Sequence, residues 1–230
     1  MIFFWQRVAK MIFGADEVDK IRGQFRREGI VCVRLGAEPK LQAMAKSLPL
    51  YRDLRVWSRR TLCLDDDEAF SRKVRKVVGK VYEGTMGYAL STGSFPVEYR
   101  EYQPNSHGMA WHRDLQMYEP AQVEMVYTVF NDDAKTRFEW KDASGKTRSL
   151  RPEAGDLVLV RPNGPLHRVT GLGKGKRGIV KIVGVKKGAR PLPSMRAEAF
   201  MCPRRRSTRF WVVVGLLGII VLVAFFLGYM

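Results

Sequence analysis

The chain has 230 residues, 46% of them hydrophobic, and carries 40 lysines and arginines against 23 aspartates and glutamates, a formal charge of +17. This composition excludes large-scale disorder and allows one sizeable core with small attachments. The charge fits nucleic acid, anionic lipid or an anionic substrate without choosing among them. Cys32, Cys63 and Cys202 are an odd number at wide spacings, so neither a disulfide framework nor a CxxC zinc site is indicated and reduced thiols are expected.

In chain order, MIFFWQRVAKMIFG (1–14) is apolar but interrupted by Gln6, Arg7 and Lys10. It reads as an amphipathic helix at an interface or against the core, not as a secretory signal. IVCVRL after Gly29 reads as a strand. Residues 39–50 and 65–90 carry apolar residues at helical spacing, among them Phe70, Val74, Val77, Val78 and Val81, with Asp65, Asp66, Asp67 and Glu68 at the positive N-terminal end. Lys73, Arg75, Lys76 and Lys80 fall on the other face as a solvated surface. From residue 97 the texture changes to period two. Turn signals then recur every eight to twelve residues and divide eight strands, near 97–103, 109–115, 123–130, 136–141, 146–151, 156–161, 166–170 and 177–184, the pattern of an all-β sandwich or barrel.

The C-terminus changes composition again. PRRRSTR (203–209) precedes FWVVVGLLGIIVLVAFFLGYM (210–230), 21 residues without a charge, long enough for a transmembrane helix. Four arginines on its near side favour holding the bulk of the protein in the cytosol as a tail-anchored, single-pass membrane protein. The expected organisation is an N-terminal helical and strand support region (1–95), a β core (96–186), a basic linker (187–209) and the membrane helix (210–230).

One stretch of the β region carries chemistry. In AWHRDLQ (110–116), His112 and Asp114 are two residues apart, and on a strand both project to one face while Arg113 projects to the other. An imidazole nitrogen with a carboxylate oxygen suits a divalent metal such as iron, and a third ligand would complete a facial triad with open positions. The chain has two other histidines: His107 in a turn five residues upstream, and His167 on the seventh strand. Trp111, beside the first ligand, should face away and pack.

The pattern His112-x-Asp114, then His167, then Arg177 ten residues later resembles the 2-oxoglutarate- and Fe(II)-dependent dioxygenases, in particular their prolyl 4-hydroxylase-like branch. The resemblance covers about residues 97–185. It is supported by Tyr102 ten residues before His112, by VYTVFND (126–132) and by RPEAGDLVLV (151–160). It implies a mainly β fold with N-terminal helices (α+β) around a double-stranded β-helix, or jelly-roll. His112, Asp114 and His167 would bind Fe(II), and Arg177 would take the distal carboxylate of 2-oxoglutarate, with Lys181 in reserve. Tyr102 and Tyr127 would hydrogen-bond that cosubstrate, and ascorbate would be a further cofactor. The chain departs from the family where TRFEW (136–140) stands in place of a Gly-Gly-x-Thr-x-Phe element, which shapes the substrate side.

The expected function is a membrane-anchored dioxygenase that hydroxylates a protein or peptide, first of all at proline. Two alternatives stand beside it. A nucleic-acid demethylase of the same chemistry is favoured by the charge, but Val183 occupies the place where such enzymes carry a second arginine, six residues after the first. A non-enzymatic, cupin-like membrane scaffold would not need the three ligands together.

Overall fold

The alternation that begins at Val97 forms strands in the computed structural model, which describes residues 15–53, 58–64, 68–87, 89–92 and 97–193. Three helices are present among the described residues: α1 (Ala15–Glu28), α2 (Pro39–Lys46) and α3 (Ala69–Met86). The strands before residue 96 are β1 (Ile30–Arg34), β2 (Tyr51–Arg52), β3 (Arg59–Leu64) and β4 (Ser91–Thr92). After it come β5 (Val97–Tyr102), β6 (Met109–His112), β7 (Tyr118–Glu119), β8 (Val123–Asn131) and β9 (Phe138–Lys141). The remainder are β10 (Thr147–Leu150), β11 (Asp156–Val160), β12 (His167–Val169), β13 (Arg177–Val185) and β14 (Arg190–Pro191).

These strands form a major antiparallel sheet in the order β1-β11-β8-β13-β5-β3-β2, with β4 beside β13, and a minor sheet in the order β10-β9-β12-β6. β7 and β14 pair separately. Two sheets face to face with helices over the outer side of the larger one give three layers and two cores. The N-terminal residues therefore do more than support the β region: they supply β1, β2 and β3 to the major sheet itself.

Residue parity on the major sheet explains why its strands read as unbroken apolar runs. On β11 every residue is buried. Leu157 and Leu159 join Phe25 of α1, Leu41 of α2 and Val74, Val78 and Tyr82 of α3 in the helix-side core. Val158 and Val160 pack on the other face with Ile30, Phe138 and Trp140, between the two sheets. Gly155, just before β11, has φ +90°, and a Cβ there would strike the Gly36 carbonyl, so the Gly-Asp step is required by close backbone approach.

The N-terminal expectations need revision at several points. α1 and the β2–β3 hairpin were not anticipated, and the helix expected over 65–90 is α3, ending at Gly87 with φ 75°. Of the expected apolar face, Phe70, Val74, Val78 and Val81 are buried, whereas Val77 is only half-buried. Cys32 is a free thiol, and burial first, then Asp156 and Glu28, push it up to about 12.

The fold class is corrected in one respect. The expected transmembrane helix over 210–230 lies outside the described residues, as does the segment 1–14, and among the described residues no helix is long and apolar enough to cross a membrane. Mainly β with a jelly-roll-like core and helices on one face stands; the membrane helix is withdrawn from it.

Two glycines test this packing with opposite signs. At Gly184 on β13 an added Cβ would lie 2.5 Å from the Tyr82 ring and 2.9 Å from Met125, whereas at Gly79 inside α3 it would meet only Leu90 at 3.7 Å. Gly184→Ala should lower stability by about 1–3 kcal/mol through overpacking, and Gly79→Ala should raise it by roughly 0.5–1 kcal/mol through helix propensity. Urea midpoints with unchanged m-values are the measurement.

Candidate metal centre

The two histidines meet because β12 pairs antiparallel with β6, in a register that sets His167 opposite His112. On its other edge β12 pairs with β9, His167 opposite Trp140. β6 is short and ends at His112, so Asp114 lies just past the strand and not on it. Its backbone is fixed instead by the turn before β12, where the Asn163 N–H donates to the Asp114 carbonyl (2.8 Å). Asn163 has φ 53°, a left-handed conformation that asparagine tolerates.

The Asp114 carboxylate stands between the two rings. His112 Nε2 is 3.9 Å from Oδ1 and His167 Nε2 is 3.5 Å from Oδ2. All three ligand atoms lie within 4.8 Å of one another, the one such group among the described residues. Each imidazole turns its other nitrogen to a backbone carbonyl: His112 Nδ1 to Ala110 (2.8 Å) and His167 Nδ1 to Pro165 (3.1 Å). A carbonyl only accepts, so Nδ1 carries the hydrogen and Nε2 keeps its lone pair for a metal. Burial of His167, chiefly, outweighs the pull of Asp114 and lowers its pKa, which favours the neutral, ligating ring. Two imidazoles and one carboxylate on one side of an ion, with the other side open, is a donor set that fits Fe(II).

A small cavity of about 70 Å³ runs from the triad into the space between the sheets, and Arg177 lies in its wall. Arg177 begins β13 and is 2% exposed. The preceding turn is pinned by Asp133, whose carboxylate accepts from the N–H groups of Lys135 (2.9 Å), Thr136 (2.7 Å), Gly173 (2.7 Å) and Gly175 (3.3 Å). Burial works against that carboxylate, but the four N–H groups prevail and hold it below its usual range. Arg177 itself has no such relief: its Nε is buried without a hydrogen-bond partner, and burial lowers the guanidinium to about 10 despite Tyr102 and Asp156. A buried guanidinium whose Nε lacks a partner, in the wall of the cavity that also holds the triad, calls for an anion, and the terminal carboxylate of 2-oxoglutarate fits that need.

The other sequence-predicted residues divide by parity. Tyr102 opposes Arg177 across β5 and β13, lines the cavity and accepts from Arg59 Nη1 at 3.4 Å. Burial would raise its phenol, yet Arg59, Arg100 and Arg177 together hold it below the ordinary value. Tyr127 faces the other way: it belongs to the helix-side core and does not line the cavity, while its neighbour Val126 does. Lys181 lines the cavity but is engaged by Glu124 at 2.6 Å. His107 is exposed in the β5–β6 turn. Trp111 packs outward between Lys141 (5.2 Å to the ring centroid) and Arg168 (4.7 Å). In the TRFEW departure, Phe138 lines the cavity 5.8 Å from the His167 ring.

Sequence reasoning missed the buried charges that accompany the site. Arg59 pairs with Asp53 at 2.6 Å, Arg100 with Glu98 at 2.6 Å, and Glu124 with Lys181. The signal was present in VEYREY, where Glu98 and Arg100 share the parity of Tyr102 and so point inward with it. A larger cavity of about 510 Å³ lies against α3, lined by Lys73, Lys76 and Lys80 with Arg34, Glu17 and Glu38. It holds none of the triad, so size alone does not locate the chemistry.

No protein-family model matches the sequence, and no curated protein sequence matches it. Solved structures do match its fold. A prolyl-4-hydroxylase of Pseudomonas putida aligns at TM-score 0.57 and 14% identity, over 74% of this chain and 99% of that one. The epimerase SnoN of nogalamycin biosynthesis, in complex with Fe3+, alpha ketoglutarate and nogalamycin RO, aligns at TM-score 0.65 and 12% identity, over 80% and 89%. A prolyl hydroxylase of Trichoplax adhaerens, in complex with a hypoxia inducible factor peptide fragment, aligns at TM-score 0.57 and 11% identity, over 78% and 90%. With the triad standing in a jelly-roll-like core of this shape, the fold of the chain is that of the 2-oxoglutarate- and Fe(II)-dependent oxygenases, prolyl hydroxylases among them.

Proposed function

We propose that the protein is a 2-oxoglutarate- and Fe(II)-dependent oxygenase that hydroxylates an unactivated carbon, with proline in a peptide as the first substrate reading. The observation that carries the chemistry is a single cavity with a metal-ligand triad at one end and an orphaned, buried Arg177 at the other. When bound, iron and 2-oxoglutarate supply the oxidation, in which dioxygen converts the cosubstrate to succinate and carbon dioxide and delivers one oxygen atom to the substrate. His112, Asp114 and His167 hold the ion. The Ala110 and Pro165 carbonyls hold both rings in the ligating tautomer. Arg177 and Tyr102 orient the cosubstrate from the far end, and Phe138, Val126, Val158 and Ile179 keep water from the space between.

The proline reading is supported by the two prolyl hydroxylases among the structural neighbours, one of them in complex with a peptide. A second reading, a small-molecule substrate, is favoured by the SnoN alignment, at a higher TM-score than either.

Asp114→Ala should abolish stoichiometric Fe(II) binding and succinate formation while the thermal transition persists, and His167→Ala should do the same. Equilibrium dialysis with Fe(II) under nitrogen, alongside a succinate assay, checks both; full metal binding by either variant would dismiss the triad. Arg177→Ala should weaken 2-oxoglutarate by about 3 kcal/mol or more, on the order of 100-fold, because it removes one partner of a buried ion pair. The Michaelis constant for 2-oxoglutarate is the readout, and an unchanged value would exclude Arg177 as the anchor.

A further inference from the structure

On the outer side of the triad a second cavity of about 280 Å³ is lined by His112 and Asp114 together with residues that the cosubstrate reading does not use. Its walls divide by chemistry. Leu115 and Met117 are apolar, while Arg59, Arg100, Arg113 and Lys181 are cationic and Glu124 is the one acid besides the ligand Asp114.

The charges do not all cancel. Asp53 engages Arg59 (2.6 Å) and Glu124 engages Lys181 (2.6 Å), both across short, buried contacts. Arg100 gives one terminal nitrogen to Glu98 (2.6 Å), yet its Nε has no partner although the side chain is only 9% exposed. Burial works against its charge, but Glu98, with Tyr102 and Glu124, keeps the guanidinium protonated. Arg113 is exposed at the mouth, and no ion pair to it is formed among the described residues. The cavity thus has a cationic surplus at its entrance and an under-bonded guanidinium inside. Leu115, next after Asp114 in sequence, is 61% exposed, one of two large exposed hydrophobic residues among those described. A leucine held in water next to a metal ligand gains nothing from the fold, and a ligand that covers it would.

Building on the oxygenase reading, we propose that this chamber selects a substrate with an apolar body and a carboxylate, the body against Leu115 and Met117, the carboxylate drawn in by Arg113 and held by Arg100. A planar carboxylate suits the fork of a guanidinium. The volume, about 280 Å³, lies just below the roughly 300–1,000 Å³ usual for ligand pockets, so the chamber takes one small molecule or a single terminal residue. Arg100 lines this chamber and the inner one, so its anion and the cosubstrate's lie on either side of the same wall, with Arg177 reserved for the latter.

The test is equilibrium binding, which needs no turnover. The full chain is loaded with Zn(II) in place of iron, saturated with 2-oxoglutarate, and titrated calorimetrically with N-acylated proline, leucine and phenylalanine and with the matched amides. The acids of at least one pair should bind about tenfold or more tighter than the amides, a difference of roughly 1.4 kcal/mol. That preference should fall below about threefold in Arg113→Gln and in Arg100→Met; if Arg100→Met does not fold because Glu98 is left alone, the exposed Arg113→Gln decides. Equal binding of acid and amide, or a preference that survives the substitutions, overturns the proposal. So does the failure of every acid to bind while 2-oxoglutarate still does, which leaves the oxygenase reading intact. Loss of 2-oxoglutarate binding in step with the acid preference assigns the anion site to the cosubstrate and overturns it as well. A wild-type protein that takes no 2-oxoglutarate overturns both readings.

Discussion

The pairing of β6 with β12 is the contact on which the site depends. Neither strand is long: β6 has four residues and β12 three. Each short strand alone would leave its histidine free to turn. Their antiparallel register places the two rings 4.3 Å apart, and the bonds from Ala110 and Pro165 fix which nitrogen each presents. β9 then closes the other edge of β12 with Phe138 and Trp140, whose bulk backs the rings from the space between the sheets. The minor sheet is therefore a frame for two side chains, and the major sheet and helices give that frame something rigid to rest on. Precision at a metal centre comes from rotamers locked by such surroundings more than from the ligands themselves.

The second constraint is electrostatic. The inner face of the major sheet carries Glu98, Arg100, Glu124, Arg177 and Lys181, a density of charge that an ordinary core excludes. Each buried ion costs several kcal/mol of desolvation unless matched, and two close pairs, Glu98 with Arg100 and Glu124 with Lys181, match four of the five. Arg177 is the exception, and its position at the head of β13 is one that a folding requirement does not explain. A fold that tolerates one uncompensated guanidinium at the bottom of a cavity holds in reserve a favourable interaction for whatever anion arrives there.

Legibility in the sequence followed periodicity. The strands from 97 to 185 were visible because alternation and turn residues repeat there, and the helix through Phe70, Val74, Val78 and Val81 because its apolar face is continuous. The ligand spacing brought His112, Asp114 and His167 into view, although the strand reading of Asp114 was wrong in detail: β6 stops at His112, and a turn supplied by Asn163 does the positioning. What escaped was the element whose role depends on distant partners. β2 is a two-residue edge strand and β3, between it and β5, has no regular alternation of apolar and polar residues; the role of β3, delivery of Arg59 to Tyr102, exists only once it pairs with β5. Tyr127 shows the limit from the other side. A tyrosine on a strand buried on both faces can point to either core, and only the register of β8 against β13 tells that it points to the helices.

That same parity explains why one strand can serve two chemistries. Along β13, Val180 and Ile182 face α3, while Arg177, Ile179 and Lys181 face the interior between the sheets. A helix-side core this well filled fixes the strand's rotation, because turning β13 by one residue would exchange Val180 and Ile182 for Arg177 and Lys181 on the apolar side. The hydrophobic layer that has no part in the chemistry is thus what aims the two cations. Arg177 is set at the head of the strand and Lys181 four residues along it, where Glu124 already holds it. The division of labour between them, one open to an incoming anion and one satisfied from within, follows from a single residue's presence on the neighbouring strand.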